Sequence, residues 1–85
     1  MPLLIDVYLK PGCPLCDEAL ELLDDAAGAW RFQVALRNIL ADDTLFERYR
    51  HAVPVVVMGG VERLRLRFDR QELEAALLAS GCEPT

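Results

Sequence analysis

Two cysteines with two residues between them, in Lys10-Pro11-Gly12-Cys13-Pro14-Leu15-Cys16, are the side chains of this sequence best placed to do chemistry. They fall where an apolar run gives way to a helical pattern. With Cys13 as N-cap and Pro14 as first helical residue, the Cys13 sulfur lies at the positive end of the helix dipole, beside backbone N–H groups with no partner in the helix. That setting favours the thiolate, which is the form that attacks a disulfide. Cys16 lies one turn further in, close enough to resolve a mixed disulfide on Cys13. The spacing points to thiol–disulfide exchange.

Other uses of the pair fit less well. A zinc or iron–sulfur site usually takes four Cys or His ligands. Only His51 and Cys82 remain, 35 and 66 residues beyond Cys16 and without ligand spacing. A permanent bridge across so short a loop would remove little entropy from the unfolded chain.

The 85 residues suit one small domain, 1–85, near the size where burial only just suffices. A composition 53% hydrophobic with three cysteines describes a folded chain, not one stapled by disulfides. The start, Met1-Pro2-Leu3-Leu4-Ile5-Asp6, lacks a basic region and meets an acid after a short apolar run, and no stretch has membrane-spanning length. A cytoplasmic protein is expected, where thiols are kept reduced. Fourteen acidic against nine basic residues, a net charge of −5, argue against nucleic-acid binding. Asp17, Glu18, Glu21, Asp24 and Asp25 belong to the first helix, and Lys10, the only lysine, precedes Cys13 by three residues.

The elements that must position the dithiol follow from pattern. Leu3 to Leu9 reads as a strand covered on both faces. Asp6 within it is either a proton relay behind the dithiol or a solvated acid near a strand edge. The first helix runs from Pro14 to about Ala27, with Leu15, Cys16, Ala19, Leu20, Leu22, Leu23 and Ala26 on its apolar side and Gly28 as left-handed stop. Trp30 to Ile39 reads as a second strand with Phe32, Val34 and Leu36 on one side. Asp42-Asp43 caps a short helix through Tyr49 that buries Leu45, Phe46 and Tyr49. Its basic tail, Arg48, Arg50 and His51, suits a helix C-terminus, and His51 is alternatively an acid–base group. Val53-Pro54 opens a strand over Val55 to Met58, Gly59-Gly60 makes a two-residue hairpin, and the chain returns over Val61 to Phe68. Arg63, Arg65 and Arg67 alternate along that return, which suits protection of a sheet edge or binding of an anion. Asp69 and Glu72 form a capping box for the last helix, with Phe68 stapled to Leu73, and Gly81 ends it. Cys82 beyond that stop is expected to be a partly exposed bystander.

Taken together, Tyr8-Leu9-Lys10-x-x-Cys13-Pro14-x-Cys16, Val53-Pro54 and Gly59-Gly60 resemble the glutaredoxins, and most of all the small bacterial glutaredoxin-like proteins. The resemblance covers nearly the whole chain. It implies an α/β fold, the minimal thioredoxin (glutaredoxin-like) form, with a mixed four-stranded sheet and three helices in the order βαβαββα. It makes Cys13 the nucleophile, Cys16 the resolving thiol and Pro54 a cis-proline opposite the dithiol, with Pro14 between the cysteines. It also implies that the Val53 backbone pairs with a bound peptide or glutathione as an added strand, and that Lys10 holds an anionic group of the substrate. Glutathione-binding members carry a glycine-and-aspartate motif where this chain reads Arg67-Phe68-Asp69-Arg70, which implies a weak hold on glutathione.

The function expected is a thiol–disulfide oxidoreductase with no bound cofactor, acting as a monomer on disulfide-bearing proteins or small thiols. Glutathione or a protein dithiol would donate electrons, and neither nucleic acid nor membrane would be a partner. The alternatives are an iron–sulfur carrier, with a cluster held between two protomers and two glutathiones, and a thioredoxin-fold binding module without turnover. A coloured anaerobic preparation would mark the first, and failure to reduce disulfides the second.

Overall fold

The computed structural model describes every residue from Met1 to Thr85. Seven elements and one short 3-10 turn follow one another: β1 (Leu3–Leu9), α1 (Pro14–Ala26), β2 (Phe32–Asn38), the turn Ile39–Ala41, α2 (Asp43–Tyr49), β3 (Val55–Met58), β4 (Val61–Arg65) and α3 (Arg70–Ala79). The sheet order is β2-β1-β3-β4, with β1 parallel to β2 and antiparallel to β3, and β4 antiparallel to β3. The two most apolar strands are therefore the inner ones.

Strand alternation sorts their side chains to two cores. Ile5, Val7, Val56 and Met58 meet Ala19, Leu23 and Ala26 of α1 and Leu73, Ala76 and Leu77 of α3 on one face. Val55 and, less deeply, Tyr8 and Val57 join Ile39, Tyr49, Leu45 and Phe46 on the other. The Tyr8 and Tyr49 rings lie 4.9 Å apart there, tilted by 35°. Helix α2 is too short to be stable alone, and this packing is what holds it.

Helix ends follow local chemistry. Asp42 caps α2 by accepting the N–H groups of Thr44 and Leu45. Asp69 and Glu72 form the expected capping box at α3, and Phe68 and Leu73 are both buried beside it. Gly81, at φ 77°, closes α3 with the Gly81 N–H on the Leu78 carbonyl and the Cys82 N–H on the Leu77 carbonyl. This is a Schellman turn, which brings the residue after the glycine back onto the last helical turn. Gly59 and Gly60 both have positive φ, as their hairpin requires.

Four expectations are corrected. The second strand spans Phe32–Asn38 only. Ile39 turns into the 3-10 segment capped by Asn38, and Trp30 forms an isolated bridge with Pro84. Gly28 is not left-handed: α1 ends on a right-handed Ala27, and the Trp30 N–H returns to the Ala26 carbonyl. The return strand stops at Arg65. Its register slips opposite Val56/Val57, and Leu66 takes φ 61° while donating its N–H to the Pro54 carbonyl at 2.9 Å. The three arginines consequently part company. Arg63 reaches the Ala79 carbonyl, Arg65 pairs with Glu62, and Arg67 lies 3.7 Å from Glu18 of α1. Finally, Cys82 is buried, because the Schellman turn folds it inward.

Two leucines of α3 and its approach make a stability test. Leu73 has no exposed surface, and Leu73→Ala is expected to cost about 2–5 kcal/mol. Leu66 is exposed and left-handed, a conformation that costs a non-glycine residue about 1–2 kcal/mol. Leu66→Gly relieves it against a glycine entropy cost of about 0.5–1 kcal/mol. Urea unfolding should therefore place Leu66→Gly within about 1 kcal/mol of the parent; a loss as large as that of Leu73→Ala would show that Leu66 packs into the fold.

Candidate active site

The dithiol sits where β1 hands the chain to α1. Gly12, at φ 71°, turns the backbone, and Pro14 at the first helical position has no N–H to satisfy. Cys13 is the N-cap, and its Sγ accepts the Cys16 N–H at 3.2 Å. The sulfur thus occupies the place that an Asp or Ser oxygen takes at other helix starts. All three cysteines are free thiols.

Cys16 sits one turn on, on the buried side of α1 with Ala19, Leu23 and Ala26. Loss of hydration pushes its thiol up to about 11. Its hydrogen bond with the Cys13 sulfur adds to this, a Lys10 backbone contact opposes it, and negative charge at Cys13 and Asp17 raises it further. At neutral pH Cys16 is a protonated thiol held against its partner sulfur.

Residues distant in sequence complete the surroundings. Cys13, Cys16, Ala52 and Val53 belong to one buried cluster with Ile39, Tyr49 and Val55. The Val53–Pro54 peptide bond is cis, and Pro54 is fully buried. The Pro54 carbonyl is taken by Leu66, but the Val53 N–H and C=O have no hydrogen-bond partner in the chain. Lys10 Nζ donates to the Arg50 carbonyl at the end of α2, 3.3 Å away. An ammonium has three donors, so two remain for another acceptor. Pro14 is exposed beside the cysteines.

Other candidates fall away from this cluster. The Asp6 carboxylate accepts from Arg37 Nε at 3.1 Å across the β1–β2 pair, and no hydrogen bond links it to either sulfur. His51 is exposed in the turn after α2. Cys82 lies in the other core, its thiol donating to the Arg31 carbonyl and pushed up chiefly by burial. No group of three or more His, Cys, Asp or Glu side chains is placed to share a metal ion. Sequence reasoning missed Ile39 beneath the site and Leu66 beside Pro54. The first lies at the end of an apolar alternation and signals only burial; the second has no local signal, since leucine rarely adopts positive φ.

A sheet of order β2-β1-β3-β4, with a dithiol at the start of the helix after the first strand and a cis-proline before the third, is the thioredoxin fold in minimal form. Residues 4–78 match the Glutaredoxin-like domain (DUF836) family, and the chain belongs to it. Over 76 residues it is 32% identical to a protein of Methanothermobacter thermautotrophicus described as a probable thioredoxin, covering 86% of this chain and 89% of that one. Two solved structures are similar. A structural-genomics target from X. campestris superposes with a TM-score of 0.78 at 31% identity, over 88% of this chain and 96% of that one. A protein from Nitrosomonas europaea, solved in solution by NMR, does so with 0.73 at 27% identity, over 88% and 91%. The family and the thioredoxin relative support a redox role for the thiols. No helix is long and apolar enough to cross a membrane.

Two measurements test the site's electrostatics. Iodoacetamide at pH 7 is expected to modify Cys13 well before Cys16, and peptide mapping that found Cys16 or Cys82 modified first would reverse the assignment. Because the folded Cys16 thiol titrates near 11 against an ordinary 9.0, its contribution to stability is complete below about pH 9 and is lost as pH rises toward 11. Urea midpoints across that range should fall more steeply for the parent than for Cys16→Ser; parallel curves would remove Cys16 as the cause.

Proposed function

We propose that the protein is a thiol–disulfide oxidoreductase acting on disulfides presented in extended peptide. The observation that carries this reading is the pair of free thiols, one capping a helix and one buried behind it, in the same cluster as a backbone edge without partners at Val53. An extended substrate can satisfy the Val53 N–H and C=O as an added strand, which aligns its disulfide with Cys13. Lys10 offers its remaining donors to an anionic group of the substrate, and Pro14 and Pro54 bound the contact surface.

The Cys13 thiolate attacks one substrate sulfur, the substrate S–S bond breaks, and the departing thiolate takes up a proton. Cys16 then gives up its proton, and its sulfur attacks the Cys13 Sγ, which releases the second substrate thiol and closes the Cys13–Cys16 disulfide. Two electrons pass to the substrate, and two protein thiols become one disulfide. The high proton affinity of Cys16, set chiefly by burial, suits this order, since it keeps Cys16 a thiol while Cys13 attacks. Cys16→Ser should trap a mixed disulfide on Cys13 that intact-mass analysis detects, whereas Cys13→Ser should accumulate none.

The disulfide must be reopened after each turnover, which suits a reducing compartment such as the cytoplasm. A protein dithiol is expected to serve at least as well as glutathione. Lys10 gives glutathione one exposed charge contact, worth about 0.2–1 kcal/mol, while Arg67 at the place of the glycine-and-aspartate motif is turned to Glu18. Parallel turnover assays should show slow, poorly saturating reduction by glutathione, with a thioredoxin or thioredoxin reductase at least as effective. Fast saturable turnover with glutathione that collapses in Lys10→Ala would make glutathione the donor instead.

A further inference from the structure

Leu66 sits in a conformation that its side chain does not favour and that its burial does not repay. It is the only non-glycine residue with positive φ, at 61°, where an L side chain crowds its own backbone. Its neighbours Leu64 and Phe68 pack against the core, but Leu66 is 42% exposed. The position is nevertheless fixed, because its N–H is bound to the Pro54 carbonyl at 2.9 Å. That bond sets Leu66 opposite Pro54, one position past the Val55↔Arg65 pair and next along the chain from Val53. An apolar side chain therefore stands exposed next to the backbone edge that has no partner. The neighbouring cation is engaged, since Arg67 lies 3.7 Å from Glu18. Backbone strain of this kind collects at ligand sites.

We propose that Leu66 is a specificity-determining residue, whose exposed side chain receives an apolar residue flanking the cysteine of a bound peptide. The substrate class is then disulfides in apolar sequence surroundings, in preference to glutathione or hydrophilic peptides. This rests on the reading of Val53 as the substrate-pairing edge and on the two-electron exchange written above, and it needs no further reductant in a single turnover.

The test uses the reduced full chain and three probes: the symmetric disulfides of N-acetyl-Gly-Leu-Cys-Leu-Gly-amide and N-acetyl-Gly-Ser-Cys-Ser-Gly-amide, and bis(2-hydroxyethyl) disulfide. Acid quenching and alkylation report formation of the Cys13–Cys16 disulfide. The parent is expected to react about ten times faster with the leucine peptide than with the serine peptide, the lower end of what one apolar contact discriminates. Leu66→Gly and Leu66→Asn both tolerate positive φ and remove the apolar contact, and each should bring that ratio below about two. Leu66→Met should keep the preference. A parent without preference, or a ratio unchanged in both Leu66→Gly and Leu66→Asn, overturns the inference while leaving disulfide reduction in place. A parent that reduces none of the three probes overturns the inference and the proposed function together.

Discussion

The Cys16 N–H that ends on the Cys13 sulfur is the bond on which the rest of this structure depends. Every helix begins with N–H groups that must be satisfied from outside, and here the satisfying atom is a cysteine sulfur. That choice constrains the neighbours on both sides. Gly12 must be left-handed to bring the sulfur over the helix end, and Pro14 can follow because that position needs no N–H. The spacing then sends Cys16 to the buried side of α1, so two chemically identical side chains meet unlike surroundings. The difference in position between the two thiols comes from where a helix starts.

The second constraint is the thinness of the sheet. Four strands separate two cores, and the core under α2 contains the cysteines themselves. Any change in sulfur chemistry would therefore take place inside a packing cluster with Tyr49, Ile39 and Val55. Helix α2 has little stability of its own and is tied in by Tyr8 on Tyr49 and by Lys10 on the Arg50 carbonyl. Lys10 belongs to the turn that delivers Cys13, so one side chain links the approach to the dithiol with the segment that leads into Val53 and Pro54.

Features set by chemistry within a few residues were legible in the sequence. The cap at Asp42, the box of Asp69 and Glu72, the Gly59-Gly60 hairpin and the cysteines at a helix start are of this kind. What escaped reading depends on partners remote along the chain. Asp6 finds Arg37 because the β1–β2 register sets Asp6 opposite Ala35, two residues from that arginine. The alternation of leucine and arginine after Val61 promised a longer strand, but the Pro54 carbonyl captures Leu66 and bends the chain away. The Val53–Pro54 edge was legible only through resemblance, since its neighbourhood with the dithiol is made by the sheet order.

The burial of Cys82 has a consequence for how the molecule can be followed. Its backbone N–H is held at the end of α3 by the Leu77 carbonyl and its thiol donates to the Arg31 carbonyl, while the residues after it clamp the chain end to the α1–β2 connection, the Arg31 N–H on the Glu83 carbonyl and the Thr85 N–H on the Ala29 carbonyl. A thiol in such a place keeps only 7% of its residue surface exposed, and opening of that clamp, by fraying or by a larger excursion, would expose it further. Its slow modification would time the opening of the carboxyl-terminal helix. The chain thus carries, apart from the Cys13–Cys16 pair, a third sulfur whose labelling would act as a clock for the scaffold.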